Sequence, residues 1–212
     1  LAYAELGALD RGVELAGEAQ RAVERYGVGD EVDFISGILA RLQTMRSRLA
    51  EAAITIEKAK RDPYWESWAA AYLPVLVADV ELALRSEDFD RAAAAADELI
   101  GRLRQYGARS YLPEALYLKG EALLGLGREE AARDCLLEAR AEAEAMEARH
   151  MLWRILDALS RLESDPSRAT ELRQEARQVI RYIVAHIDQD DLRASFLSLP
   201  EVRAVLRPLE LE

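Results

Sequence analysis

Small and apolar residues recur in one register every 40 residues along this chain, without a gap. Gly12, Ala52, Ala92, Ala132 and Leu172 share one phase. Ala16, Ile56, Ala96, Leu136 and Ala176 share a second, and Ala19, Ala59, Leu99, Ala139 and Val179 a third. Each triplet sets residues at i, i+4 and i+7, one face of a helix. A fixed period of about 20–50 residues is the mark of stacked supersecondary units, in which each unit buries its apolar face against its neighbours. The register therefore constrains architecture strongly. It says little about a partner, because such arrays build surfaces more often than they carry out chemistry.

Punctuation falls at repeat positions too. Gly7, Ser47, Glu87, Gly127 and Ser167 share a phase just before each triplet helix, and Gly127, after Leu126, would end its helix as a left-handed cap does. Each unit thus reads as an antiparallel pair, helix A then helix B, with B helices starting near 9, 48, 88, 128 and 168. The first unit keeps only the end of its helix A, around Tyr3. Asp62-Pro63 and Asp165-Pro166 read as N-caps followed by proline in the first turn, and Pro74 should kink or restart the long third helix A. The array spans 1–187. From Asp188 the pattern stops, and 188–212 reads as a capping element with Leu192, Phe196, Leu199, Val202 and Val205 on its apolar side. Beginning at Leu1, inside a helix by the register, the chain reads as a piece of a longer protein.

Composition narrows the function classes. The formal net charge is −11 and Lys occurs only at 58, 60 and 119, so no basic block suits a nucleic-acid backbone. No stretch approaches the ~20 apolar residues of a spanning helix. One cysteine, Cys135, and two histidines, His150 and His186, leave no disulfide and no metal cluster, and a reducing cytoplasm fits best. Cys135 lacks a clearly activating setting. Glu129 and Glu130 sit in a helix first turn, where the dipole favours them without any catalytic role. No phosphate-binding loop or nucleophile motif is present. The expected molecule is all-α, not an enzyme, and without a cofactor.

Leu116, Gly120, Leu123, Ala132, Leu136 and Ala139 carry a resemblance to the tetratricopeptide repeat (TPR), in its 40-residue variety found in bacterial multidomain activators and ATPase/cyclase regulators. Arg193–Pro200 is similar to the end of TPR regions in the latter proteins. The resemblance implies a right-handed superhelical array whose concave surface comes mainly from helix A. Its inward positions carry over to Phe34, Gly37 and Arg41, to Pro74, Val77 and Glu81, to Glu114, Tyr117 and Glu121, and to Arg154, Asp157 and Arg161. With no Asn anywhere, the family's peptide carboxylate clamp is missing. The groove would have an acidic middle and Arg at both ends. Trp65 and Trp68, flanked by Tyr64 and Tyr72, form a secondary candidate, although aromatic residues at helical spacing are more often packing. One family position holds Leu39 and Leu159 in two units but Asp79 and Lys119 in the others. A one-residue slip of helix A is favoured there over a buried Asp79–Lys119 pair.

The expected function is to hold another protein, or an adjoining domain of the parent chain, and to relay that contact. Nucleic acid and membrane are not expected partners. The truncated N-terminal end, with Val13, Ala16 and Val23, is expected to self-associate. Two rival readings have different signatures. A small-molecule sensor needs a closed pocket with convergent polar groups, and an oligomerisation module needs a large apolar patch at one end.

Overall fold

A computed structural model of the chain describes residues 1–26, 29–61 and 69–207. The described residues are helical throughout, without a strand. The helices are α1 (Ala2–Glu5), α2 (Leu9–Tyr26), α3 (Gly29–Met45), α4 (Leu49–Lys60), α5 (Ala69–Arg85), α6 (Phe89–Tyr106), α7 (Leu112–Gly125), α8 (Glu129–Ala145), α9 (Arg149–Leu162), α10 (Pro166–Ala185), α11 (Asp190–Ser198) and α12 (Pro200–Leu206). Consecutive helices pack on one another, and α3, α5, α7 and α9 also touch in succession. These odd-numbered helices form an inner row backed by the even-numbered ones.

Most of the turns are built alike. Gly7, Ser47, Glu87, Gly107, Gly127 and Glu147 all have φ between 53 and 83°. Each closes a helix with two backbone bonds. At Glu87 these run from Glu87 N–H to the Leu84 carbonyl and from Asp88 N–H to that of Ala83, both 3.0 Å. This is the Schellman pattern, which satisfies carbonyls that the helix end would otherwise orphan. Ser167 departs from the phase. There Asp165 caps α10 by accepting from Ser167 N–H at 2.9 Å, and Pro166 occupies the first turn. The expected cap at Asp62-Pro63 lies outside the described residues.

The triplets point inward as expected. Ala52, Ala92 and Ala132 are fully buried, as are Ala96, Leu136, Ala176, Leu99 and Ala139, while Ala19 and Val179 remain half-buried. Small residues set the closest crossings. A Cβ at Gly37 would stand 2.5 Å from the backbone of Pro74 and Val75, so α3 and α5 meet main chain to main chain. At Gly120 it would stand 2.8 Å from Leu136 Cγ, across the α7–α8 pair.

Helix α5 is buried without a break from Tyr72 to Val80. Val75, Ala78 and Leu82 face a core shared with α3 and α4, whereas Leu73, Leu76, Val77 and Val80 join the large core running to the C-terminus. Asp79 is buried in this helix and is neutralised from both flanks, by Lys60 Nζ at 2.5 Å and by Arg91. Lys119 instead meets Asp97 Oδ1 at 2.6 Å. No Asp79–Lys119 pair forms. Nor does helix A slip, since Ala40, Val80, Gly120 and Ser160 are all buried in unbroken phase. Each charge at this position finds its own partner on a neighbouring B helix.

The two ends of the chain meet. The α1–α2 turn presses on α11: a Cβ at Gly7 would lie 2.7 Å from the Ser195 carbonyl oxygen. Tyr3, Leu6 and Ala8 pack against the same core as Phe196, Val202 and Val205. Helices α11 and α12 fold back on α10, and Arg177 holds α12 through the carbonyls of Val205 (2.7 Å) and Arg207 (2.5 Å). On the first B helix, Ala16 and Val23 are buried and Val13 is half-buried. Most of the face expected to meet another copy is thus occupied within one chain.

Candidate functional site

The inner row brings charged side chains from four helices to one place. Arg41 on α3 is 2% exposed. Its Nε donates to Glu81 Oε2 at 2.9 Å and its Nη2 to Glu81 Oε1 at 2.8 Å, the bidentate fork that fixes a guanidinium on a carboxylate. The same Nη2 reaches Glu114 on α7. Two carboxylates therefore share one cation. Burial pushes the Glu81 carboxyl above the usual carboxylate range, opposed by Arg41, while nearby Glu114 adds to the rise and Arg154 reduces it. For Arg41, burial works against the charge, but Glu81 and Glu114 outweigh it and hold the guanidinium protonated.

Helix periodicity makes this cluster. Arg41 and Glu81 stand 40 apart and occupy the same place on successive inner helices. Glu121 and Arg161 continue that phase, joined at 3.1 Å, and Arg161 also meets Asp157 at 3.4 Å. Burial raises the Asp157 carboxyl, against the pull of Arg161 and Arg173.

Beside the Arg41 cluster lies a cavity of about 250 Å³. Ala2 and Glu5 of α1, Leu6, Met45, Tyr117, Leu118, His150, Met151, Trp153, Arg154, Ile183 and Phe196 line it. It adjoins a wider cleft of about 710 Å³ that shares Glu5, Met45, Glu81, Tyr117, Leu118 and Arg154 and adds Glu121, Leu199, Pro200 and Glu201. Trp153 and Phe196 meet edge to face, with ring centroids 6.5 Å apart, so α11 closes one wall against α9. Tyr117 sits deep among its neighbours yet keeps an edge on the cavity, and burial, then Glu121, push its phenol upward.

Not every expected groove residue lies here. Arg41, Glu81 and Glu114 come together; Tyr117, Glu121 and Arg154 line the cavities; Asp157 and Arg161 form their ion pairs at the edge. Val77 does not belong to a surface. It is 0% exposed, inside the large core and within the unbroken buried stretch of α5 from Tyr72 to Val80, so no partner can reach it. Phe34 is 42% exposed and lines neither cavity. Trp65 and Trp68 lie outside the described residues, and their neighbour Tyr72 is buried. Of the Arg residues expected at the groove ends, Arg41 folds onto Glu81 and Glu114 and Arg161 onto Glu121, whereas Arg154 pairs with Glu201 of α12.

Sequence reasoning missed Glu5, Met45, Trp153 and Phe196. For Met45 and Glu5 a signal existed: Met45 follows Arg41 by four residues on the same helix face, and Glu5 stands 40 before Met45. Nothing local in sequence brings α11 across to α1.

Among the described residues no cluster of His, Cys, Asp and Glu suits a metal ion, and no helix is long and apolar enough to cross a membrane. Cys135 is half-buried, and burial raises its thiol, with Lys119 opposing.

No family model matches the chain, and no curated protein matches it in sequence. Its fold is similar to a solved structure, BtubC (BKLC) from P. vanneervenii, with a TM-score of 0.67 over 93% of this chain and 84% of that one. Identity between them is 16%, so the likeness concerns the fold alone.

Proposed function

We propose that the chain is a TPR-like helical array without chemistry of its own, whose interior takes a small ligand and whose ends relay occupancy to a protein partner or adjoining domain. The 40-residue register and the repeated turn geometry support the TPR-like reading. The observation that carries the ligand reading is the narrowed inner face, whose middle is filled by the Arg41 cluster. The middle of the expected groove is not open to a protein segment, because Arg41 is buried and fully engaged by Glu81 and Glu114. What remains is a pocket with apolar walls and a few converging polar groups, the usual form of a small-molecule site.

Relay follows from what builds the pocket. Its walls come from α1 at one end of the chain and from α11 at the other. A ligand touching both favours the closed arrangement and shifts any equilibrium with an opened one. Surfaces at the two ends would then differ between the empty and filled states.

The test is ligand-observed NMR on a mixed small-molecule library, with wild type and Ala2→Trp compared. Ala2 is exposed at the mouth of the cavity, so the indole blocks entry without touching the core. Hits that vanish in Ala2→Trp are expected. A library with no hit, or with hits indifferent to this substitution, overturns the ligand reading.

A further inference from the structure

Charge does not balance within the Arg41 cluster. One guanidinium, 3% exposed, faces two carboxylates, Glu81 and Glu114, whose side chains are 17% and 16% exposed. Both carboxylates accept from the same Nη2. The triad therefore carries one negative charge in excess, where burial makes an uncompensated charge costly. Neighbouring cations offset this only in part. Arg154, which acts on Glu81, is shared with Glu201 of α12 at 3.7 Å, and Arg161 is taken by Glu121 and Asp157. From α1, Glu5 brings a further carboxylate to the same cavity wall.

The ends of the chain limit the access of water to this triad. Ala2 and Glu5 of α1 line the cavity on which Arg41, Glu81 and Glu114 stand, and so does Phe196 of α11. The α1–α2 turn rests on α11 through Gly7 and Ser195. Of the two wall elements α1 is the less anchored: it is one turn long and buries only Ala4, whereas α11 buries Leu192 and Phe196. Lifting α1 would hydrate the triad and reduce the cost of its excess charge.

We infer that closure of α1 over the inner row is coupled to the uptake of one proton by Glu81. In the closed state a proton from solvent cancels the excess charge, and Arg41 keeps one carboxylate partner, Glu114, beside a neutral acceptor. In the open state water stabilises both carboxylates, and the proton returns to solvent. Burial raises the Glu81 carboxyl above its ordinary range, in agreement with this. Linkage fixes the direction. The closed state binds more protons, so falling pH favours closure and rising pH favours opening, by up to about tenfold in the equilibrium per pH unit for one proton.

Other titratable groups face the same region. Tyr111 and Tyr117 have phenols raised by burial and stay neutral over this range. His150 lines the cavity. His186 precedes α11 and stacks on Tyr182, with 4.0 Å between ring centroids, and Arg149 lies against the same ring. The coupling needs neither histidine, and it stands on the triad and the end contact without any ligand.

The experiment is solution NMR of the full chain without ligand, from about pH 5 to 8.5. Glutamate side-chain 13Cδ shifts, assigned with Glu81→Gln and Glu114→Gln, read protonation. A spin label at Asp191→Cys, with Cys135→Ser, reads closure by broadening the methyl signals of Ala8 and Leu9. All three positions border the cleft between the α1–α2 turn and α11. Glu81 should titrate above the exposed glutamates, and the broadening should weaken over the same interval as pH rises. Either Gln variant removes the excess charge and should hold the broadening near its low-pH value throughout. Two variants guard against loss of the fold in one, which thermal melts report. His150→Gln and His186→Gln should respond as wild type does. A Glu81 carboxyl that titrates together with the exposed glutamates overturns the proposal. So does broadening independent of pH, a response that survives both Glu variants, or one that vanishes in a His variant.

Discussion

At the scale of single residues, the turns carry a measurable strain. Glu87 adopts φ 57°, a left-handed conformation that costs a side-chain-bearing residue about 1 kcal/mol or more. Gly takes the same conformation freely, as it does at Gly7, Gly107 and Gly127. Glu87→Gly should therefore stabilise the fold by about 0.5–1 kcal/mol, read as a higher midpoint in urea. Gly37→Ala should do the reverse. Its methyl group would meet the α5 backbone, which cannot rotate away, and overpacking of this kind costs about 1–3 kcal/mol.

The buried charges give a third residue-level prediction, with a pH signature. In Arg41→Met, Glu81 and Glu114 lose their shared cation inside a low-dielectric site. Breaking such a pair costs about 3–5 kcal/mol near neutral pH. The Glu81 carboxyl is raised in the folded protein above its ordinary value of 4.5, first by burial. The folded state then binds more protons than the unfolded state between those two values, so stability falls as pH rises through that window. Arg41→Met removes an opposing cation and should steepen this fall. Arg154 on α9 and Glu114 on α7 face the same carboxyl and set how far it extends. Denaturant melts from pH 4.5 to 8 read it directly, and a variant whose loss does not grow with pH would contradict the cluster described above.

Among the helices, periodicity carried most of the information. B helices begin at Leu49, Phe89, Glu129 and Pro166, within two residues of the positions read from the register. That reading works because each small residue in the triplet must face a neighbouring helix, and the spacing alone tells which. Ala132 is fully buried at the α7–α8 crossing, so Ala132→Leu should lower stability by about 1–3 kcal/mol. Melts that match wild type would show that the crossing is looser than this geometry. The partners of charged residues were less legible. Arg41, Glu81 and Glu114 stood on the inner face by their phase, but their mutual pairing depends on how far α3, α5 and α7 rotate about one another. Val77 failed for a related reason. An inward phase means solvent only where the next helix stays away, and at Val77 neighbouring helices close over α5.

The whole molecule is defined by a contact that no local pattern announces. Gly7 and Ser195 are separated by nearly the full array, yet their backbones touch. Closure brings α1 and α11 together on the wall of one cavity and narrows an expected open groove. Phe196→Ala removes the ring that meets Trp153 and should cost about 3–5 kcal/mol if α11 is part of the cooperative fold. The most direct test of closure is the distance between the ends. Asp10 and Asp191 are both exposed and border the same shallow cleft between the α1–α2 turn and α11. With the lone Cys135 replaced by Ser, Asp10→Cys and Asp191→Cys accept spin labels, and double electron–electron resonance measures their separation. A single short, narrow distance distribution is expected, narrower still with a bound ligand. A broad distribution at long distance would mean that the ends do not meet and that the cavity is open in solution.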